Sequence, residues 1–174
     1  MPMKSSARWA CDARQMSSFT VRDVEERDLE PLLALYRQLA EGDAARMPAG
    51  AEASREVLRS IISDRSRHLC VATRGDELVG SAELIVVPNL THRASPWAVI
   101  ENVIVDAAVR GGGAGTALLR HLATVARANG CYKVQLHCGK QRIDAHRLYR
   151  KLGFRPVAEG FKLYFDDTRS NLGQ

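Results

Sequence analysis

Apolar and polar residues alternate in "FTVRDV", which predicts a first strand over residues 19–24. The spacing then changes to three and four. Leu29, Leu32, Leu33, Tyr36, Leu39 and Ala40 share one face of a helix with Asp28 at its N-cap and Gly42 at its stop. Beyond a loop, "DAARMPAGAEA", a second helix gathers Val57, Leu58, Ile61 and Ile62 on one face. Strand character returns in "HLCVATR" and "ELVGSAELIVVP", with "GDE" as the hairpin turn between them. "NLTHRASP" reads as a loop, and residues 97–105 as a long strand. Leu118, Leu119, Leu122, Val125 and Ala126 then mark a helix over about 113–129, ended by Gly130. "CYKVQLHC" predicts a strand with Tyr132, Val134, Leu136 and Cys138 on one face, and Lys133, Gln135 and His137 on the other. A helix over roughly 144–152 and two short strands, "FRPVA" and "FKLYF", close the chain. This order predicts an α/β fold: one mixed sheet flanked by helices in a single domain.

One strand breaks the pattern. "VIENVIVDAAVRGGGAG" carries Glu101 and Asn102 inside an apolar run and ends in Arg110, Gly111, Gly112, Gly113, Ala114 and Gly115. A strand, a glycine turn and a helix in succession point to an anion cradle. Helix N-termini offer unpaired N–H groups and a positive dipole end, and glycines let the backbone approach without a Cβ in the way. The P-loop pattern is absent, because no Lys-Ser or Lys-Thr follows the glycines. The dinucleotide fingerprint fails as well. Its third glycine falls on Thr116, and His137 and Cys138 stand where an acidic residue ends the next strand. What fits is Arg-x-x-Gly-x-Gly, at Arg110, Gly113 and Gly115.

Composition narrows the partner. The chain has 174 residues, 25 Lys and Arg against 20 Asp and Glu, and a formal charge of +5, which favours an anionic partner. Aromatic content is only 6%, without a basic arm interleaved with aromatics, so a phosphorylated small molecule ranks above nucleic acid. No apolar run approaches the roughly 20 residues that span a bilayer, so no membrane partner is expected. Residues 1–18 lack the apolar core of a secretory signal and read as a disordered tail; 19–165 form the domain and 166–174 a C-terminal tail. Cys11, Cys70, Cys131 and Cys138 show no CxxC and no zinc-type spacing, so no metal is expected, and reduced thiols in a cytoplasmic setting follow.

Arg-x-x-Gly-x-Gly after a strand resembles the acetyl-CoA pyrophosphate loop of the GNAT N-acetyltransferase superfamily. "ENVIVDAAVRGGGAGTALL" gives strand, loop and helix in that family's order, "GCYKVQLHC" resembles its fifth strand, and "AHRLYRKLGF" its final motif. "IENVIV", "GCYKV" and the Tyr149 motif are most similar to glucosamine-6-phosphate N-acetyltransferase-like members and small bacterial relatives. Two departures fall on the acceptor side: Asn102 and His137 stand where those members usually carry acids.

The resemblance implies a splayed sheet with acetyl-CoA as cosubstrate and transfer of its acetyl group to a small-molecule primary amine by direct attack. Peptide amines, or a CoA-binding module without catalysis, are the alternatives. The backbone around Val103, Ile104 and Val105 would pair with the pantetheine amides and polarise the thioester carbonyl. The N–H groups of residues 110–116, Thr116 included, would hold the pyrophosphate. Tyr149 would act as general acid for the departing thiolate, or else is a core tyrosine.

Glu101 is the candidate base, directly or through water, since burial of a carboxyl group raises its proton affinity. It could equally bind the substrate ammonium or serve the structure. Asn102, placed on the opposite face by strict alternation, and His137 are candidate substrate-binding residues. A homodimer is an expectation from the resemblance alone.

Overall fold

Five strands make one sheet in the order β1-β2-β3-β4-β5: Thr20–Asp23, Arg67–Arg74, Glu77–Val87, Trp97–Val105 and Val134–Leu136. Four helices accompany them: α1 (Leu29–Leu39), α2 (Ala51–Ser63), α3 (Ala114–Ala128) and α4 (Ile143–Lys151). The computed structural model describes residues 19–40, 47–163 and 165. The two expected tails, Cys11, the stop at Gly42 and part of the first loop lie outside the described residues.

β1 to β4 are antiparallel neighbours, and β5 joins β4 in parallel. The period-2 pattern therefore puts two apolar faces to use. Cys70, Ala72, Ala82, Leu84, Ala98 and Ile100 point to one side, where Leu118, Leu119, Leu122 and Ala126 of α3 cover them. Leu69 and Val71 point to the other, against Leu29, Leu32 and Leu33 of α1 and Leu58 of α2. The turn between β2 and β3 is Gly75-Asp76, with Gly75 at φ 60°, as a two-residue hairpin requires. α2 is only partly engaged, since Val57 and Ile62 of its expected apolar face stay exposed.

Two expectations fail at the end of the chain. β5 is three residues long, so Tyr132 and Cys138 lie outside it. The strands expected in "FRPVA" and "FKLYF" do not form among the described residues. The pairing of β4 with β5 ends at Ile100↔Leu136, and a three-residue edge is a short template for further strands. Val157, Phe161 and Leu163 are left exposed.

Asp28 stands at the N-cap of α1 but makes no side-chain bond into that helix. Its buried carboxylate takes two hydrogen bonds from Arg22, at 2.6 and 2.7 Å, and one from the Glu25 amide at 2.8 Å. This bidentate pair ties the exit of β1 to the start of α1. The Arg22 hydrogen bond is the main reason that the Asp28 carboxyl lies below its ordinary range, while burial opposes it. A carboxyl with a lowered folded pKa stabilises the fold above its unfolded value of about 3.9, and that contribution is lost as pH falls through the folded value. Asp28→Asn is expected to lower stability by about 2–3 kcal/mol at pH 7 and to flatten the stability-versus-pH curve below pH 4, as measured by urea unfolding across that range.

Candidate active site

β4 sets the site. Its register with β3 pairs Glu101 with Glu83, then resumes with Ile104 opposite Ser81 and Val105 opposite Gly80. Asn102 and Val103 thus face Ala82 alone, which is a β-bulge. Asn102 takes φ 53°, a left-handed conformation that Asn tolerates better than most residues. The extra residue reverses the facing of the strand. Ala98 and Ile100 pack toward α3 before the bulge, Val103 and Val105 after it. Strict alternation therefore breaks at Asn102, which sits exposed on the bulge itself.

The bulge also opens the sheet. β5 follows β4 only from Ala98↔Val134 to Ile100↔Leu136. From Glu101 to Val105, β4 has no strand on that edge among the described residues. Apart from the Val105 carbonyl, which accepts from Arg110, the outward backbone N–H and C=O groups there are open to an extended ligand that adds like a strand. Gln38 of α1 fixes the end of this edge: its side-chain amide donates to Asp106 Oδ2 at 2.9 Å and accepts from the Ala107 amide at 3.1 Å.

The glycine turn follows directly. Gly111 and Gly113 have φ 83° and 103°, which a β-carbon would strain. Gly113 is the N-cap of α3, with no side-chain cap, and the first turn carries no acid. The N–H groups of Ala114, Gly115 and Thr116 begin that helix and have no carbonyl within it to bond. The glycines do different work. A β-carbon on Gly113 meets open space, whereas one on Gly115 would lie 3.2 Å from Leu148 Cδ2 and 3.5 Å from Val105 Cγ2. Gly115 lets α3 close on α4 and β4. The Arg110 Nε donates to the Val105 carbonyl at 3.1 Å, folding its side chain across the strand end.

Glu101 and His137 come together, with His137 Nδ1 4.0 Å from Glu101 Oε1. Both are about half exposed, at 46% and 54%, so the buried setting expected for Glu101 is not found. The buried carboxylate is its cross-strand neighbour Glu83, 2% exposed. Arg67 donates to Glu83 from Nε at 2.7 Å and lies 2.6 Å away through Nη2. Tyr36 of α1 lies against the same group, and burial pushes its phenol up to about 12. Glu83 is a lone acid in "SAELIVV", the same signal that drew attention to Glu101.

Tyr149 is buried on α4, stacked edge-on against Phe154 at 5.9 Å. It packs into the core cluster on the α3 side. Glu101 lies on the other face, beside Glu83. Burial raises the Tyr149 phenol above its ordinary value, the neighbouring Cys138 and Glu101 add to the shift, and Arg142 opposes it. The phenol therefore stays protonated at neutral pH. An open cleft of about 530 Å³, lined by Val86, Pro88, Asn89, Leu90, Ala94 and Pro96, lies at the other end of β4 and brings no ionisable side chain.

In sequence and fold the chain is similar to known proteins. Residues 29–154 match the model of the acetyltransferase (GNAT) family. Glucosamine 6-phosphate N-acetyltransferase of Trypanosoma brucei brucei is 33% identical over 141 residues, 78% of this chain and 88% of that protein. A crystal structure of a transcriptional regulator from Bacillus halodurans C-125 is 33% identical, covers 84% of this chain and 99% of its own, and superposes with a TM-score of 0.76. The glucosamine-6-phosphate N-acetyltransferase structure from Arabidopsis thaliana shares the fold at 22% identity and a TM-score of 0.75, covering 86% of this chain and all of its own. The chain belongs to the acetyltransferase (GNAT) family, as an acetyl-CoA-dependent N-acetyltransferase.

The two glycines separate by experiment. Gly113→Val is expected to raise the acetyl-CoA dissociation constant at least about tenfold, or 1.4 kcal/mol, and at φ 103° it also strains the backbone. Gly115→Val is expected to act mainly on stability, by about 1–3 kcal/mol, through Leu148. Calorimetric titration and thermal unfolding of both variants read the two effects apart.

Proposed function

We propose that the protein transfers the acetyl group of acetyl-CoA to the primary amine of a phosphorylated amino sugar or a similarly small anionic amine. The observation that carries this reading is the gap between β4 and β5, open from Glu101 onward and ending at the uncapped N-terminus of α3. The pantetheine arm pairs with the free edge at Val103, Ile104 and Val105, and the pyrophosphate takes the N–H groups of Gly111 and of residues 113–116, that of Gly112 donating to the Val109 carbonyl at 3.2 Å. N–H groups along that edge also polarise the thioester carbonyl.

The two faces of the gap divide the chemistry. The amine approaches from the side of Glu101 and His137, and its nitrogen forms the new C–N bond. Glu101, directly or through a water, takes the proton that the nitrogen sheds. The C–S bond breaks toward α4, where the protonated Tyr149 gives its proton to the departing sulfur. Holding the two reactants in line contributes a large part of the rate. Asn102, exposed on the bulge, and His137 touch the acceptor, and the surplus of 25 basic over 20 acidic residues suits an anionic one. The domain spans 19–165 in this reading. A homodimer belongs to it as well: Val157, Phe161 and Leu163 are 82, 92 and 79% exposed along one segment, an apolar surface that a second copy would cover.

The test is an acetyl-CoA turnover assay against glucosamine 6-phosphate, glucosamine, polyamines, amino acids, aminoglycosides and peptides, with wild type and Tyr149→Phe side by side. Glucosamine 6-phosphate is expected to turn over at least about tenfold faster than glucosamine, and Tyr149→Phe to lower kcat more than it changes KM. Turnover confined to peptides, or none at all, would overturn the small-amine reading.

A further inference from the structure

We propose that Asp23, Cys70 and His121 form a binding site for a zinc-like divalent cation beneath the middle of α3, two strands away from β4. Asp23 of β1 and Cys70 of β2 are directly opposite each other in the antiparallel ladder, so their side chains share the face that α3 covers. His121 comes down onto that face from α3. One ligand atom from each residue lies within 4.8 Å of the other two. The residues stand 47 and 51 positions apart in the chain, so no sequence spacing reveals them; the fold alone assembles the group.

The donor set is chemically coherent. A thiolate sulfur, an imidazole nitrogen and a carboxylate oxygen are the mixed ligands that zinc accepts, at about 2.3, 2.0 and 2.1 Å, with a tetrahedron completed by water. Those bond lengths make the sulfur–oxygen edge of the tetrahedron about 3.6 Å. Cys70 Sγ already lies 3.5 Å from Asp23 Oδ1. The thiol is fully buried while Asp23 is exposed and His121 half-buried, so the ion enters past the carboxylate and meets the sulfur last. No ion pair neutralises the Asp23 carboxylate among the described residues. On binding, the Cys70 S–H bond breaks, the metal–sulfur bond forms and the proton leaves to solvent, with no change of oxidation state. The ion then pins α3 to β1 and β2.

The full-length protein, stripped with chelator, is titrated with Zn²⁺ alone and with Co²⁺ alone. The expected result is one equivalent per chain, a thiolate-to-cobalt charge-transfer band, and a melting temperature raised by roughly 5–10 °C at a hundredfold excess over the dissociation constant. Cys70→Ser should abolish the band. His121→Gln and Asp23→Asn alter less buried side chains that need not disturb the core, and each should weaken Zn²⁺ binding at least tenfold. Absence of the band in the wild-type protein, or Zn²⁺ affinity unchanged in His121→Gln and Asp23→Asn, would overturn the proposal. Either outcome is read without acetyl transfer and stands apart from the catalytic reading.

Discussion

One left-handed residue governs how β4 leaves the sheet. At Asn102, β4 carries one residue more than β3 can match. The bulge adds twist, and the parallel partner on the other side cannot follow it. β5 stops at Leu136, and the edge of β4 from Glu101 to Val105 is left without a strand among the described residues. Backbone polar groups seldom stay unpaired away from water. An open edge of this kind, leading straight to an uncapped helix, is the feature on which the proposed binding of an extended molecule with an anionic end rests.

The surroundings keep that edge in place. On one face α3 packs through Leu118 and Leu122, and Gly115 allows α4 to close over Val105. On the other, α1 sends Gln38 to the strand exit, and Arg67 neutralises Glu83 beside Glu101. A buried carboxylate without a partner costs several kcal/mol, so the Arg67 pair is a condition of having any charge there. Glu83 is therefore a structural support beside Glu101, and Glu101 remains the solvent-reachable acid.

Much of this was legible in the sequence, because the periodicities are local. The strand at 97–105, the glycine turn and the apolar stripe of α3 each come from residues close in the chain. The turn after β4 is legible because glycines at φ 83° and 103° have few substitutes. What alternation could not show was the bulge, since a single inserted residue leaves no mark on composition and reverses every later side chain. The burial of Glu83 rather than Glu101 has the same origin: it depends on which strand has neighbours on both edges. The end of the chain departs from its pattern: "FRPVA" and "FKLYF" have strand-like residues, yet the three-residue β5 offers them a short edge. The Asp23, Cys70 and His121 group was invisible because it joins three distant segments.

In the proposed binding mode acetyl-CoA lies along β4 as an added strand with its pyrophosphate at the start of α3. Hydrogen–deuterium exchange of the full chain, with and without acetyl-CoA, reads this out. New protection is expected to concentrate in residues 101–105 and 111–116. Protection confined to the cleft at residues 86–96, or none in either segment at saturating acetyl-CoA, would be incompatible with that mode.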